Sequence, residues 1–170
     1  TVAVRRRATI DDLYRVEGKA ELIAGRIVRE PPTGLAPGLA SVAIYVSLRD
    51  HERSVGGGIA VPDAVAFVVD LPDRQSFCPD AAFYRGPWTG MKFAAGAPAF
   101  AAEVRSEHDY GPAADARIAA KRRDYFAAGT QVVWDVDLVG ADVVRVYRAD
   151  CPETPTVYRR GEIAEGEPAV

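Results

Sequence analysis

Cysteine is scarce in this chain. Cys78 and Cys151 are the two in 170 residues, enough for one disulfide and too few for a disulfide framework. A reducing, cytoplasmic setting is the expectation that goes with this usage. Long apolar runs are missing as well. No stretch approaches the ~20 residues of a membrane-spanning helix, and no signal-peptide pattern is visible. There is no surplus of basic charge: the formal net charge is −3 and the sequence pI about 5.4. That argues against a general polyanion-coating protein and leaves room for a local basic surface. Gly56-Gly57-Gly58 is no phosphate loop, because the Lys-Ser/Thr of a P-loop does not follow it.

What is present fits one ordinary α/β domain over residues 1–170. The chain is 48% hydrophobic and 26% charged, as globular domains are. At this size about 70% of the unfolded surface is buried on folding, enough for a sizeable core. The first residue is not Met and the last stretch is acidic with Pro, so the natural protein is expected to extend further.

The chemistry concentrates between Phe77 and Arg105. FCPDAAFY reads as one short β-like run opened by Pro-Asp, and PAFAAEVRS as a second with Glu103 near its end. Neighbouring strands would bring Asp80 and Glu103 to one sheet edge. Side chains alternate along a strand, so Glu103 and Arg105 share a face about 6.5 Å apart. A later helical segment carries Lys121. A hard cation such as Mg²⁺ takes oxygen ligands, often one or two carboxylates plus water, and can activate water against a phosphoryl group. The competing reading is structural: Asp after Pro is a common turn or cap residue, and a Glu at a strand end is commonly solvated.

This stretch resembles the Asp…Glu-x-Lys signature of the PD-(D/E)XK nucleases. Over nearly the whole chain the order AELIAGRIV, FCPDAAFYR, PAFAAEVRS and KRRDYFAAGTQVVWDVD is similar to the Uma two family of restriction-endonuclease-like proteins. The resemblance implies a central mixed β-sheet flanked by α-helices and a metal-dependent endonuclease acting on DNA. The cofactor it implies is Mg²⁺, with Mn²⁺ as a substitute. A homodimer suits a duplex with two strands to cut. It assigns the metal to Asp80, Glu103 and the Val104 carbonyl, and places Glu21 near the active site. Where the general pattern has Lys, two residues after Glu103, this chain has Arg105. Lys121 matches the position to which family members move that Lys. Arg105 stays protonated and cannot be a general base; it is expected to clamp phosphate or offset developing charge. Lys121 is expected to orient or deprotonate water, since burial can lower a lysine pKa. The His that relatives carry before the second helix is absent from TGLAPGLAS.

Taken in order, Arg5, Arg6 and Arg7 form a charged arm. Thr9 reads as the N-cap of a short helix with Ile10, Leu13 and Tyr14 on its apolar side. ELIAGRIV reads as a hairpin turning at Ala24-Gly25, and Glu21 is either solvated there or part of the site. Leu39, Val42, Ala43 and Val46, with Ile44 and Leu48, predict a helix packed on the sheet. IAVP and AVAFVVD read as strands and PDRQ as a turn. Residues 86–97 form a loop, a short helix or a lid whose aromatics face a base or the core. His108 and Asp109 stand close to the site in sequence as further metal or water ligands. Asp109 could equally cap a helix beginning near Pro112 and ending before Gly129. Arg117 and Lys121 share one face of it. QVVWDVD, DVVRVYR and TVYRR close the chain as strands. A non-cutting nucleic-acid-binding or interaction module on the same scaffold is the alternative function.

Overall fold

The computed structural model describes residues 6–170, so Arg5 of the N-terminal arm lies outside the described residues. The elements, in order, are α1 (Ile10–Leu13), β1 (Ala20–Ile23), β2 (Arg26–Arg29), α2 (Leu35–Ser54), β3 (Ile59–Pro62), β4 (Phe67–Leu71) and β5 (Arg74–Phe77). Then come β6 (Ala81–Tyr84), β7 (Ala94–Ala95), β8 (Phe100–Val104), α3 (Pro112–Ala127), β9 (Val132–Val136), β10 (Asp142–Arg148) and β11 (Cys151–Arg159).

The strands divide between two mixed sheets, ordered β2-β1-β5-β4-β7 and β11-β10-β9-β8-β6-β3. The expected α/β class with a mixed sheet and flanking helices is present, with the strands shared between two sheets. Alternation along β8 explains how the larger sheet serves two cores. Phe100 and Ala102 face one core with Leu48, Phe83, Val132 and Val146. Ala101 faces the other with Phe77, Tyr84, Tyr125 and Val133. Glu103, two residues after Ala101, therefore points to the α3 side.

Local sequence accounts for the ends of several elements. Thr9 caps α1 in a reciprocal capping box with Asp12. Ala24 and Gly25 both take positive φ, 50° and 72°, the conformation a two-residue hairpin turn demands. Pro112 occupies the first turn of α3, where its missing N–H costs nothing. Gly129 follows that helix at φ 105°. The N-cap of α3 is Gly111, with no side-chain cap. Asp109, expected as a cap, instead accepts from the Ser106 N–H and hydroxyl and from Arg117.

Three expectations are corrected here. PDRQ is not all turn: Arg74 and Gln75 open β5. FCPDAAFY is not one strand, because Phe77 ends β5 in one sheet and Ala81 begins β6 in the other. Cys78-Pro79-Asp80 is the crossing between them. The stripe expected to pack α2 on the sheet is split. Ser41, Ile44, Tyr45 and Leu48 face the protein, while Leu35, Leu39, Val42 and Val46 are at least half exposed. Both rows recur at helical spacing, so periodicity could not choose between them. In the segment 86–97, Phe93 stacks at 3.8 Å on Tyr14, the residue that ends α1, while Trp88 and Met91 are exposed.

Candidate active site

The site lies where β8 outruns β6. Ala81 pairs with Ala102 in this antiparallel ladder, and continuing the register by one step sets Asp80 beside Glu103. The Val104 N–H, left without a strand partner there, donates to Asp80 Oδ2 at 2.7 Å. A residue's N–H and C=O point toward the same neighbouring strand, so the Val104 carbonyl is turned to Asp80 as well. Ser41 of α2 donates to the Asp80 carbonyl at 2.6 Å, which ties the crossing segment to the helix.

Glu103 is served from α3. Tyr125 donates to its Oε1 at 2.6 Å and Lys121 to its Oε2 at 2.8 Å. Lys121 and Tyr125 are four residues apart and so stand on one helix face. The Tyr125 ring is fixed by stacking on Phe77 at 4.0 Å. Lys121 also reaches Glu21 Oε1 at 2.8 Å. Glu21 is buried, 3% exposed, so of the two readings left open the solvated one does not hold, and its carboxylate meets the same ammonium as Glu103. Its other oxygen takes Arg74 at 2.6 Å, and the Cys78 N–H donates to Oε1.

Burial and like charge from Asp80 and Glu21 push Glu103 up to about 7, against the pull of Lys121 and Lys19. Glu21 moves the opposite way. Burial opposes its charge, but Lys121 and Arg74 hold it down at about 2. The two carboxylates share one ammonium and titrate as a pair. For Lys121 itself, burial favours the neutral amine, yet Glu103 and Glu21 outweigh it and its pKa is raised. This direction favours the ammonium, which suits the orienting half of the role expected of Lys121 and opposes the half that deprotonates water. Burial pushes the Cys78 thiol up to about 12, which disfavours the thiolate.

Arg105 is on the same side as Glu103, as alternation requires, but its guanidinium is spent on the protein. It donates twice to Asp135 at 2.8 Å, once to Asp115 at 2.6 Å and once to the Asp109 carbonyl. The expected phosphate clamp is thus a strut between β8, β9 and α3. His108 lines the cleft, and Asp109 is committed to Ser106 and Arg117.

Two participants were missed from sequence. Arg74 was hidden in what read as a turn. Lys19 directly precedes β1, and its ammonium contacts Asp80 at 2.6 Å, Asp63 at 2.9 Å and Glu30 at 3.0 Å. Its spacing of two from Glu21 was a usable signal, since alternate residues share a strand face.

A cleft of about 710 Å³ is lined in part by Lys19, Glu21, Asp80, Glu103, Arg117 and Lys121. None of its described lining residues comes from residues 86–97, so the lid expected there does not cover this site. No group of three or more His, Cys, Asp or Glu is placed to hold a metal ion among the described residues. A metal would rest on Asp80, Glu103 and the Val104 carbonyl with waters, the sparse protein ligation Mg²⁺ accepts. The charge balance fits such an ion. Three carboxylates converge on the single ammonium of Lys19, leaving two negative charges uncompensated.

Comparison with known proteins gives a family and a fold. The model of the Uma2 family, described as "Putative restriction endonuclease", matches residues 9–170. A solved structure from Anabaena variabilis ATCC 29413, described as a "putative nuclease belonging to DUF820", superposes with a TM-score of 0.71. It is 17% identical, and the match covers 94% of this chain and 89% of that one. At that identity the likeness establishes the fold alone. Among curated proteins none matches. No helix among the described residues is long and apolar enough to cross a membrane.

Proposed function

This chain belongs to the Uma2 family, and from that membership we propose that it is a Mg²⁺-dependent endonuclease hydrolysing DNA phosphodiester bonds. The observation that carries the reading is the convergence of Asp80, from the segment just before β6, and Glu103 of β8 with a charged lysine from α3 at the edge of an open cleft. Asp80, Glu103 and the Val104 carbonyl would hold the ion, and Mn²⁺ would substitute for Mg²⁺. Bound there, the ion would supply charge neutralisation and a more acidic water.

The chain's own residues divide the remaining work. Lys121, held as an ammonium, orients Glu103 and offers positive charge to a phosphoryl oxygen in the cleft. Tyr125 fixes the Glu103 rotamer. Glu21 and Arg74 hold Lys121 in place from behind. Arg105 positions the end of β8 and does not meet the substrate.

A duplex substrate suits two copies of the site, and the exposed face of α2 is the surface we assign to a second copy of this chain. Leu35, Leu39, Val42 and Val46 are spaced 4-3-4, a pattern symmetric about its centre. Antiparallel pairing of two α2 helices sets Leu35 against Val46 and Leu39 against Val42, the self-complementary contact a two-fold axis requires. Up to Leu48 the helix carries no charged side chain. Ala36 and Ala43, also exposed, stand alongside, and a specific interface needs about 1,000 Å² in total.

The test is calorimetric titration of Mg²⁺ and Mn²⁺ into the wild type and the Asp80→Ala/Glu103→Ala double variant, with parallel incubation on plasmid and single-stranded DNA. Metal binding and cleavage that are both lost in the variant are the expected result. The second reading, a non-cutting nucleic-acid-binding module, is favoured by one observation: the position of the motif's usual lysine is filled by Arg105, which is locked into internal ion pairs. Salt-dependent DNA binding with no metal binding would select it.

A further inference from the structure

Lys19 has no place in the reaction described above, yet it is the cation nearest Asp80. Its ammonium lies 2.6 Å from Asp80 Oδ1, the oxygen left over once the Val104 N–H has taken Oδ2. The same ammonium touches Asp63, just after β3, and Glu30, just after β2. The Lys19 side chain is 14% exposed, against 39% for Asp63, 33% for Glu30 and 18% for Asp80. Asp80 is thus the inner carboxylate, and the other two stand nearer the solvent.

We propose that Lys19 is the resident counter-ion of Asp80, which it must yield when a divalent cation binds, and that Glu30 and Asp63 are the seat that keeps it in the cleft. The proposal rests on the metal-dependent reading given above. Its physical basis is competition for one oxygen. Asp80 Oδ2 is committed to the backbone, so Oδ1 is the atom a cation can use, and Lys19 now holds it. A lysine on a flexible four-carbon stem can swing by a few ångströms without backbone movement. Two carboxylates already within 3.0 Å of its nitrogen offset the loss of the third. Three acids against one ammonium also leave a charge deficit that matches a divalent ion. Lys19 is therefore a positioning residue that sets metal affinity, and it keeps Asp80 paired in the metal-free protein.

The experiment is calorimetric titration of Mn²⁺ into full-length wild type, Lys19→Met and Glu30→Gln/Asp63→Asn, each first checked for native circular dichroism. Lys19→Met should bind Mn²⁺ at least about fivefold more tightly, since its competitor is gone. Glu30→Gln/Asp63→Asn should bind it more weakly, because Lys19 then has Asp80 alone. In a Lys19→Met background the two acid substitutions should lose most of that effect, which long-range charge by itself would not produce. Unchanged or weaker binding by Lys19→Met, with wild type binding normally, overturns the proposal and leaves the endonuclease reading standing. No Mn²⁺ binding by either overturns both. If Lys19→Met fails to fold, Lys19→Gln repeats the comparison, and the Glu30/Asp63 variant tests the opposite sign independently.

Discussion

Lys121 and Glu21 stand 2.8 Å apart, one from α3 and the other from the β1–β2 hairpin, and Lys121 reaches Glu103 at the same distance. One ammonium therefore joins three parts of the fold. Replacing it with Met leaves two carboxylates in a largely buried site with no shared counter-ion. The expected cost is about 3–5 kcal/mol, measured by urea denaturation. Lys121→Arg should retain much of this stability. Loss of cleavage in a folded Lys121→Arg protein would then report on chemistry, whereas loss in Lys121→Met would not separate chemistry from folding.

Glu21 sets a pH dependence of known sign. Its pKa is about 2 in the folded protein against an ordinary 4.5. Folded protein thus binds fewer protons than unfolded, and this stability is present above pH 4.5 and lost as pH falls toward 2. The stability gap between wild type and Glu21→Gln should narrow across that window, by on the order of 3 kcal/mol. Glu103 runs the other way. Its raised value, about 7, makes ionisation cost folding stability as pH rises from 4.5 to 7. Glu103→Gln should flatten that part of the curve, read from denaturation midpoints at each pH.

Arg105 should behave as a strut. Arg105→Ala leaves Asp135, 3% exposed, without its bidentate partner, and a loss of about 3–5 kcal/mol is expected. Replacing both by Leu should recover most of it. The same double variant should bind DNA like wild type in a fluorescence titration at matched salt. A double variant that is stable but fails to bind would return Arg105 to the substrate.

Tyr125→Phe removes the hydroxyl that donates to Glu103 and keeps the ring on Phe77. A loss of about 1–3 kcal/mol is expected where Glu103 is ionised, above its raised value of about 7, since a hydrogen bond to a charged group is removed there. If Tyr125 fixes the Glu103 rotamer, Mn²⁺ affinity should fall in the same variant, as calorimetry would show.

The α2 face gives a concentration-dependent prediction. Leu39→Glu places a charge at the centre of the proposed two-fold contact. Analytical ultracentrifugation should show dimer for wild type and monomer for the variant, with the far-ultraviolet spectrum unchanged. A wild type that stays monomeric at high concentration would remove this surface from the account.

By itself the sequence singled out the residue types proposed for the site and determined much of the local structure. The Thr9 cap, Gly25 in the hairpin turn, Pro112 opening α3 and Gly129 after it each follow from short-range backbone preferences, whereas Ala24 takes positive φ against its own. Asp80, Glu103 and Lys121 were legible as a group through their order along the chain. Tertiary structure decided the rest, because ion pairs depend on which faces meet. Lys19 stands just before β1 and Arg74 in a strand read as a turn; the spacing of Lys19 from Glu21 hints at a shared face, but nothing local names Asp80 and Glu21 as their partners. Arg105 and Lys121 were assigned roles from charge alone, whereas their pairing with Asp135 and with Glu21 and Glu103 fixes what each can do. The face of α2 that packs inward was undecidable for a similar reason: two apolar rows share that helix, and only the sheet selects one.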